Sequence, residues 1–172
     1  MRRFLLSVVT LAALLAGCGG GSSPATLTKK TPPDLAAFLR LPVATPTSCP
    51  STSASGTGRK SPWVGHVDVS VFVTGKADAR TRRALHDALV AEPHVAHVYT
   101  ETKREAWEEF RRLYTCSDQV PPSSLPASYR LVLDSVTLPQ RDDVVRQIYK
   151  LNGVRGITCD PSSPCVHVRP TK

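Results

Sequence analysis

The sequence lacks the short motifs that mark much catalytic machinery. It has no G-x-S-x-G nucleophile turn, no Walker A lysine loop and no H-E-x-x-H helix. That leaves no sequence basis for serine-type acyl transfer, a phosphate cradle or zinc-assisted hydrolysis. None of the five cysteines stands in Cys-x-x-Cys spacing, so a structural zinc has no ligand pair to start from. Acidic residues are in the minority, 14 against 22 Lys and Arg, for a formal charge of +8. Past Leu15 no hydrophobic stretch is long enough to cross a bilayer, which takes ~20 residues.

What is present begins at the N-terminus. Arg2 and Arg3 precede an apolar run from Phe4 to Leu15 that only Ser7 and Thr10 interrupt. A charged n-region, a short apolar h-region and small residues before a cut point form a secretory signal. Gly19-Gly20-Gly21-Ser22-Ser23 follows at once, which a core helix would not tolerate. The sequence Leu15-Ala16-Gly17-Cys18 resembles the lipobox of bacterial lipoproteins. The resemblance implies cleavage before Cys18, fatty acylation of its thiol, and a chain held on the extracytoplasmic face of the cell membrane. More than one acyl chain fits such an anchor, because a single chain holds a protein only marginally. The expected division is residues 1–17 as signal peptide, 18–62 as lipidated cysteine and tether, and 63–172 as a single folded domain. Losing Arg2 and Arg3 lowers the formal charge to +6. Outside the cell the neighbouring polyanions are phospholipid head groups and wall polymers. The surplus of Lys and Arg therefore reads as a solvated surface, and no nucleic-acid partner is expected.

Four cysteines remain after Cys18: Cys49, Cys116, Cys159 and Cys165. An even number in an exported chain points to two disulfides, with three possible pairings. Cys159 and Cys165 bracket the turn-forming Asp160-Pro161-Ser162-Ser163-Pro164, the shortest loop to close. Cys49 would then pair with Cys116 and pin the tether to the domain.

Residues 19–62 are rich in Gly, Ser, Thr and Pro and read as a flexible tether, with a mean reach of roughly 35–40 Å as a coil. A short apolar segment from Asp34 to Leu41 interrupts it, placed to dock on the domain. From Trp63 the pattern becomes regular. His66 to Val73 alternates, with Val67, Val69, Val71 and Val73 on one side, which predicts a strand with one buried face. Asp78 is placed to cap a helix with the stripe Ala84, Leu85, Ala88, Leu89, which Pro93 stops. Val95 to Glu101 is a second strand. Thr102 and Glu105 form a capping box for a helix reaching about Tyr114. A Pro-marked loop from Ser117 to Ser128 leads to a third strand, Tyr129 to Asp134. Thr137 and Gln140 cap the next helix, with Pro139 inside its first turn and Asp142-Asp143 facing its dipole. Gly153 can end it, and Val154 to Cys159 is the fourth strand. Leu85, Leu89, Val95 and Val98 recur 59 positions later as Val144, Ile148, Val154 and Ile157. The expected fold is α+β: a ferredoxin-like split βαβ sandwich with an inserted helical lobe, one sheet face covered and the other open.

Candidate sites are few. His86, His94 and His97 offer a metal or small-ligand reading, against the commoner case of solvated histidines. Cys116 as a nucleophile competes with its use in a disulfide. Trp107, Phe110 and Tyr114 share a face of the inserted helix. Either they pack into the main core, or that helix and the following loop form a lobe whose aromatic stripe, with Leu125, lines a groove for a partner protein.

The stretch from Val67 to about Asp160 resembles the extracellular domain of FtsX, the permease-like cell-division protein. The resemblance lies in Asp68-Val69-Ser70-Val71-Phe72-Val73, Leu89-Val90-Ala91-Glu92-Pro93, Val95-Ala96-His97-Val98-Tyr99 and Thr102 through Phe110. It continues in Leu125-Pro126-Ala127-Ser128-Tyr129-Arg130-Leu131 and Leu151-Asn152-Gly153-Val154, the Leu-Pro-x-Ser-Tyr-Arg piece being the most specific. It implies a ferredoxin-like lobe, a small helical lobe, and a hydrophobic surface between them that recruits peptidoglycan hydrolases or their activators. The sequence carries no permease helices, so the implied role is partner binding and not coupling to ATP. The expectation is a non-enzymatic lipoprotein, without cofactor, that binds an extracytoplasmic protein such as a cell-wall hydrolase during wall remodelling or division. The alternative is a small-ligand or metal-binding envelope lipoprotein.

Overall fold

The computed structural model describes residues 30–43, 56–160 and 165. The signal peptide, Cys18, Cys49 and much of the tether lie outside them. Within the domain the chain runs β1 (Val69–Val73), α2 (Ala79–Val90), β2 (Val95–Glu101), α3 (Lys103–Leu113), β3 (Ser128–Leu133), α4 (Leu138–Ile148) and β4 (Val154–Cys159), with a short helix α1 (Leu35–Leu39) ahead of them. The four strands form one sheet in the order β2-β3-β1-β4, every neighbouring pair antiparallel. This is the split βαβ arrangement, with α3 and two 3-10 turns, Ser117–Gln119 and Pro122–Ser124, inserted between β2 and β3.

Local signals set the helix starts. Asp78 accepts from the Thr81 N–H at 2.7 Å. At α3 the Thr102 N–H donates to Glu105 Oε2 at 2.7 Å, and the Glu105 N–H donates back to Thr102 Oγ1 at 3.2 Å. Thr137 and Gln140 repeat this box at α4. Asp142 and Asp143 fall past the first turn of α4. They are held by the side chains of Arg141 and Arg146, so ion pairing accounts for them and the helix dipole does not. Helix α4 is capped at Tyr149. Gly153, at φ +92°, instead serves the turn into β4, where an added Cβ would lie 3.0 Å from Thr81 Cγ2.

The main core lies between one sheet face and α2 and α4. Val69, Val71, Leu131 and Leu133 meet Leu85, Leu89, Val144, Val145 and Ile148, all buried. The two members of the 59-residue repeat take equivalent places: two helix residues in the core, then two strand residues packed against it.

The second sheet face departs from expectation. Asp68 and Ser70, on the polar side of the alternation, are buried, and Val67 belongs to a separate cluster with Trp63, Val132 and Tyr99. The covering is the chain's own N-terminal segment. Residues 30–43 and 56–62, read above as tether, lie on the domain. Phe38 of α1 is buried, and Gly56 and Thr57 pair with the end of α3 through Tyr114 and the Leu113 carbonyl. The segment from Asp34 to Leu41 docks through Phe38, while Leu35, Leu39 and Leu41 stay exposed.

Lys30 pins this covering at one end of the sheet. Its ammonium donates to the Val67 carbonyl at 2.9 Å and to Asp160 Oδ2 at 3.0 Å. It also lies 3.0 Å from Asp68 Oδ1, off the direction of a hydrogen bond, so that contact is one of charge. The inserted lobe sits at the other end: β2 leaves the sheet at Glu101 and β3 enters at Ser128, both level with Phe72 near the end of β1. Cys159 and Cys165 are joined by a disulfide, as the short loop suggests. Cys116, buried at φ 58°, is disulfide-bonded as well; Cys49 lies outside the described residues.

Candidate functional site

Helix α3 carries the candidate site. None of its residues is buried, and none of its aromatics joins the main core. It packs instead on the two 3-10 turns that follow it. Of the two readings of the aromatic stripe, the structure supports the separate lobe. Trp107 is half-buried; its indole N–H donates to the Val120 carbonyl at 3.3 Å, and the Arg111 guanidinium lies 4.6 Å above its ring. Phe110 and Tyr114 stack on each other, their ring centroids 4.7 Å apart, and Tyr114 is exposed. Leu125 follows the second turn and is half-buried. Trp107 is thus tied to the loop and Phe110 to Tyr114, giving one lobe with two aromatic contacts.

The three histidines are not gathered. His86 on α2 contacts Asp87 at 3.3 Å, and its ring lies near that of Tyr129. His97 on β2 stacks edge-on against Tyr99 at 4.2 Å. His94 stands in the turn before β2. No three His, Cys, Asp or Glu side chains converge on a metal position among the described residues. A cavity of about 330 Å³ between the starts of α2 and α3 is lined by Arg82, Glu101, Lys103 and Tyr129, but Glu101 is already committed elsewhere.

That commitment is a cluster that sequence reading missed. Glu101 ends β2 and is nearly enclosed. It accepts from Arg130 Nη2 at 2.6 Å, from Arg130 Nε at 3.2 Å and from Ser128 Oγ at 2.5 Å. Arg130 also donates to Ser70 Oγ at 2.8 Å and lies over the Trp63 and Phe72 rings. Glu109 of α3 stands 4.0 Å from Arg130, and its Oε2 accepts the Trp63 indole N–H at 2.9 Å. The group joins lobe, sheet and N-terminal segment. Ser128 and Arg130 stand in the Leu-Pro-x-Ser-Tyr-Arg piece, yet nothing in the sequence pairs them with Glu101 or Glu109.

Burial first, then hydrogen bonding and repulsion from Glu101, push Glu109 up to about 7, against weaker opposing effects of Ser61 and Arg130. A raised carboxyl binds its proton more tightly in the folded chain. The stability this adds is fully present below the ordinary value of 4.5 and is lost as pH rises through about 7. Glu109→Gln keeps an acceptor for Trp63 and a donor for Glu101. Urea denaturation is expected to show the variant gaining on wild type by about 2 kcal/mol between acid and mildly alkaline solution. A pH-independent difference between the two proteins would refute the assignment.

No helix among the described residues is long and apolar enough to cross a membrane. A search of curated proteins finds no match. The family model of the FtsX extracellular domain matches residues 66–161, which hold all four strands, the inserted lobe and the Glu101–Arg130–Glu109 cluster. The match covers more than half of the 172-residue chain. By this match, the chain belongs to the FtsX extracellular domain family.

Proposed function

We propose that this chain is a non-enzymatic lipoprotein, anchored by acylated Cys18, whose helical lobe binds a peptidoglycan hydrolase during wall remodelling or division. Membership of the family carries an extracytoplasmic setting, a role related to cell division and contact with other proteins; the family is in general non-catalytic. The lipid anchor is supported by the Leu15-Ala16-Gly17-Cys18 pattern. A Cys49–Cys116 disulfide completes the reading and ties the N-terminal segment to the lobe.

The observation that carries partner binding is the standing of α3. Trp107 and Phe110 of α3 and Tyr114 at its C-cap stay out of the main core; Tyr114 is exposed and the other two are half-buried, which leaves ring surface at the lobe for a partner. Large rings with few rotatable bonds are favoured anchors at protein interfaces. Trp107→Ala and Phe110→Ala are each expected to lower affinity for the hydrolase about 30-fold, near 2 kcal/mol. The measurement is recovery of hydrolases from envelope extracts, identified by mass spectrometry, on variants whose near-ultraviolet dichroism matches wild type. Unchanged recovery would remove the lobe from the interface.

A further inference from the structure

The surplus of positive charge is not spread evenly. Arg80, Arg82 and Arg83 stand within the first five residues of α2, Lys103 and Arg104 open α3, and Lys76 lies in the turn before α2. All six are exposed, and among the described residues none of them takes part in an ion pair. Arg111, Arg112, Arg130, Arg141 and Arg146 each do.

This placement works against the helices' own fields. The N-terminal end of a helix is its positive end, where a further cation is disfavoured. Helix α2 has no acidic residue in its first turn to offset its arginines. Helix α3 keeps the favourable arrangement at its other end, with Arg111 and Arg112 in the last turn. A local rule broken at two helix starts that face one cavity marks a place where the charge has a use.

The cavity of about 330 Å³ lies between those two starts, with Arg82 and Lys103 in its wall. Arg82 is held there by its Nη1, which donates to the Ala77 carbonyl at 2.7 Å and leaves its other N–H groups unspent. Thr74 and Thr100 add hydroxyls. The nearby carboxylates are engaged: Asp78 accepts from the Thr81 N–H, Glu105 from the Thr102 N–H, and Glu101, in the wall itself, is met by Arg130. The charge left unanswered at this place is positive. The volume is at the small end of ligand pockets, ~300–1,000 Å³, and suits one small group.

We propose that this cavity seats an oxyanion, a phosphate or carboxylate group of a repeating wall polymer. Arg82 and Lys103 hold the seated group, while Lys76, Arg80, Arg83 and Arg104 attract the repeats on either side. A guanidinium offers a planar fork for two oxygens of one group, and an ammonium adds a point charge. Position favours the polymer over lipid head groups. The cavity stands at the end of the sheet marked by Glu101 and Ser128, away from Lys30 and the segment that leads back to Cys18. That choice of source rests on the lipid anchor; the oxyanion seat does not.

The test uses the full chain with fluorescein-labelled polyphosphate and polyglutamate as probes, read by anisotropy at physiological ionic strength. Wild type is expected to bind at least one of them, and Arg82→Gln with Lys103→Gln to weaken that binding about 30-fold. Lys150→Gln with Arg155→Gln removes the same charge from exposed positions near β4 and is expected to change it less than about threefold. Binding of polyphosphate alone assigns phosphate, and of polyglutamate alone carboxylate. No binding of either probe, or an equal loss in both double variants, overturns the proposal. Should the cavity variant fail to fold, Lys103→Gln is read against Lys150→Gln, with a loss of about fivefold expected for the first alone. Phosphatidylglycerol vesicles that bind wild type more tightly than either polymer overturn the wall source. An unacylated Cys18, seen by mass spectrometry, would remove the anchor without touching the anisotropy results. Trp107 and Phe110 are left intact, so this idea and the hydrolase reading can each fail alone.

Discussion

Arg130→Met is expected to lower the stability of the folded chain by about 3–5 kcal/mol near neutral pH. The size follows from what the substitution leaves behind. The Glu101 side chain is 4% exposed, and Arg130 supplies its cationic partner through two nitrogens. With the guanidinium gone, Ser128 Oγ still donates to Glu101, but a neutral hydroxyl cannot offset an enclosed charge. Ser70 loses the donor it shares with the pair. Glu109, already unwilling to ionise, then faces Glu101 without a cation nearby. Met keeps most of the length of the apolar stem, whereas the guanidinium that lies over Trp63 and Phe72 is lost with the charge, so the loss reads charge more than packing. The control is Glu101→Gln with Arg130→Met. Removing both charges is expected to restore most of the stability in urea denaturation, giving a coupling of several kcal/mol. A single variant that costs less than about 1 kcal/mol would place the pair among ordinary surface ion pairs.

Lys30→Met is expected to cost about 3 kcal/mol, at the far end of the same sheet. The ammonium is the cation shared by Asp68 and Asp160, whose side chains are 1% and 3% exposed. Each carboxylate keeps a backbone donor, the Leu133 N–H on Asp68 and the Gly65 N–H on Asp160. Neither donor carries a full charge. The loss should appear as a lower denaturation midpoint that added salt changes little, because enclosed charges are poorly screened. It should also speed hydrogen exchange at the Leu133 amide, whose acceptor is Asp68 Oδ2. An unchanged midpoint would mean that residues 30–43 sit on the domain without holding it.

The sheet and its helices were legible because their signals are local. Thr102 with Glu105 and Thr137 with Gln140 mark helix starts across three residues, and the structure begins α3 and α4 there. Strand alternation from Val69 to Val73 needs only five residues to declare a buried face. The inserted lobe was legible as a helix, and its independence from the core followed only from packing. What stayed hidden depends on partners far apart in sequence. Asp68 falls on the polar side of an alternating strand and looks solvated. Its burial comes from Lys30, 38 positions earlier, and from Asp160, 92 positions later. Trp63 marks where regular structure resumes, yet nothing near it points to Glu109. A tether rich in Pro and Ser gives no sign that its middle returns to the domain, because the docking rests on one phenylalanine and on carbonyls that every residue has.

The position of Lys30 has a geometric consequence for a chain acylated at Cys18. Eleven residues lie between the two, and the twelve steps from Cys18 to Lys30 span at most about 43 Å. In a chain so anchored, the pole of the sheet that holds Lys30 stays within that length of the lipid, and the aromatic lobe sits at the opposite pole.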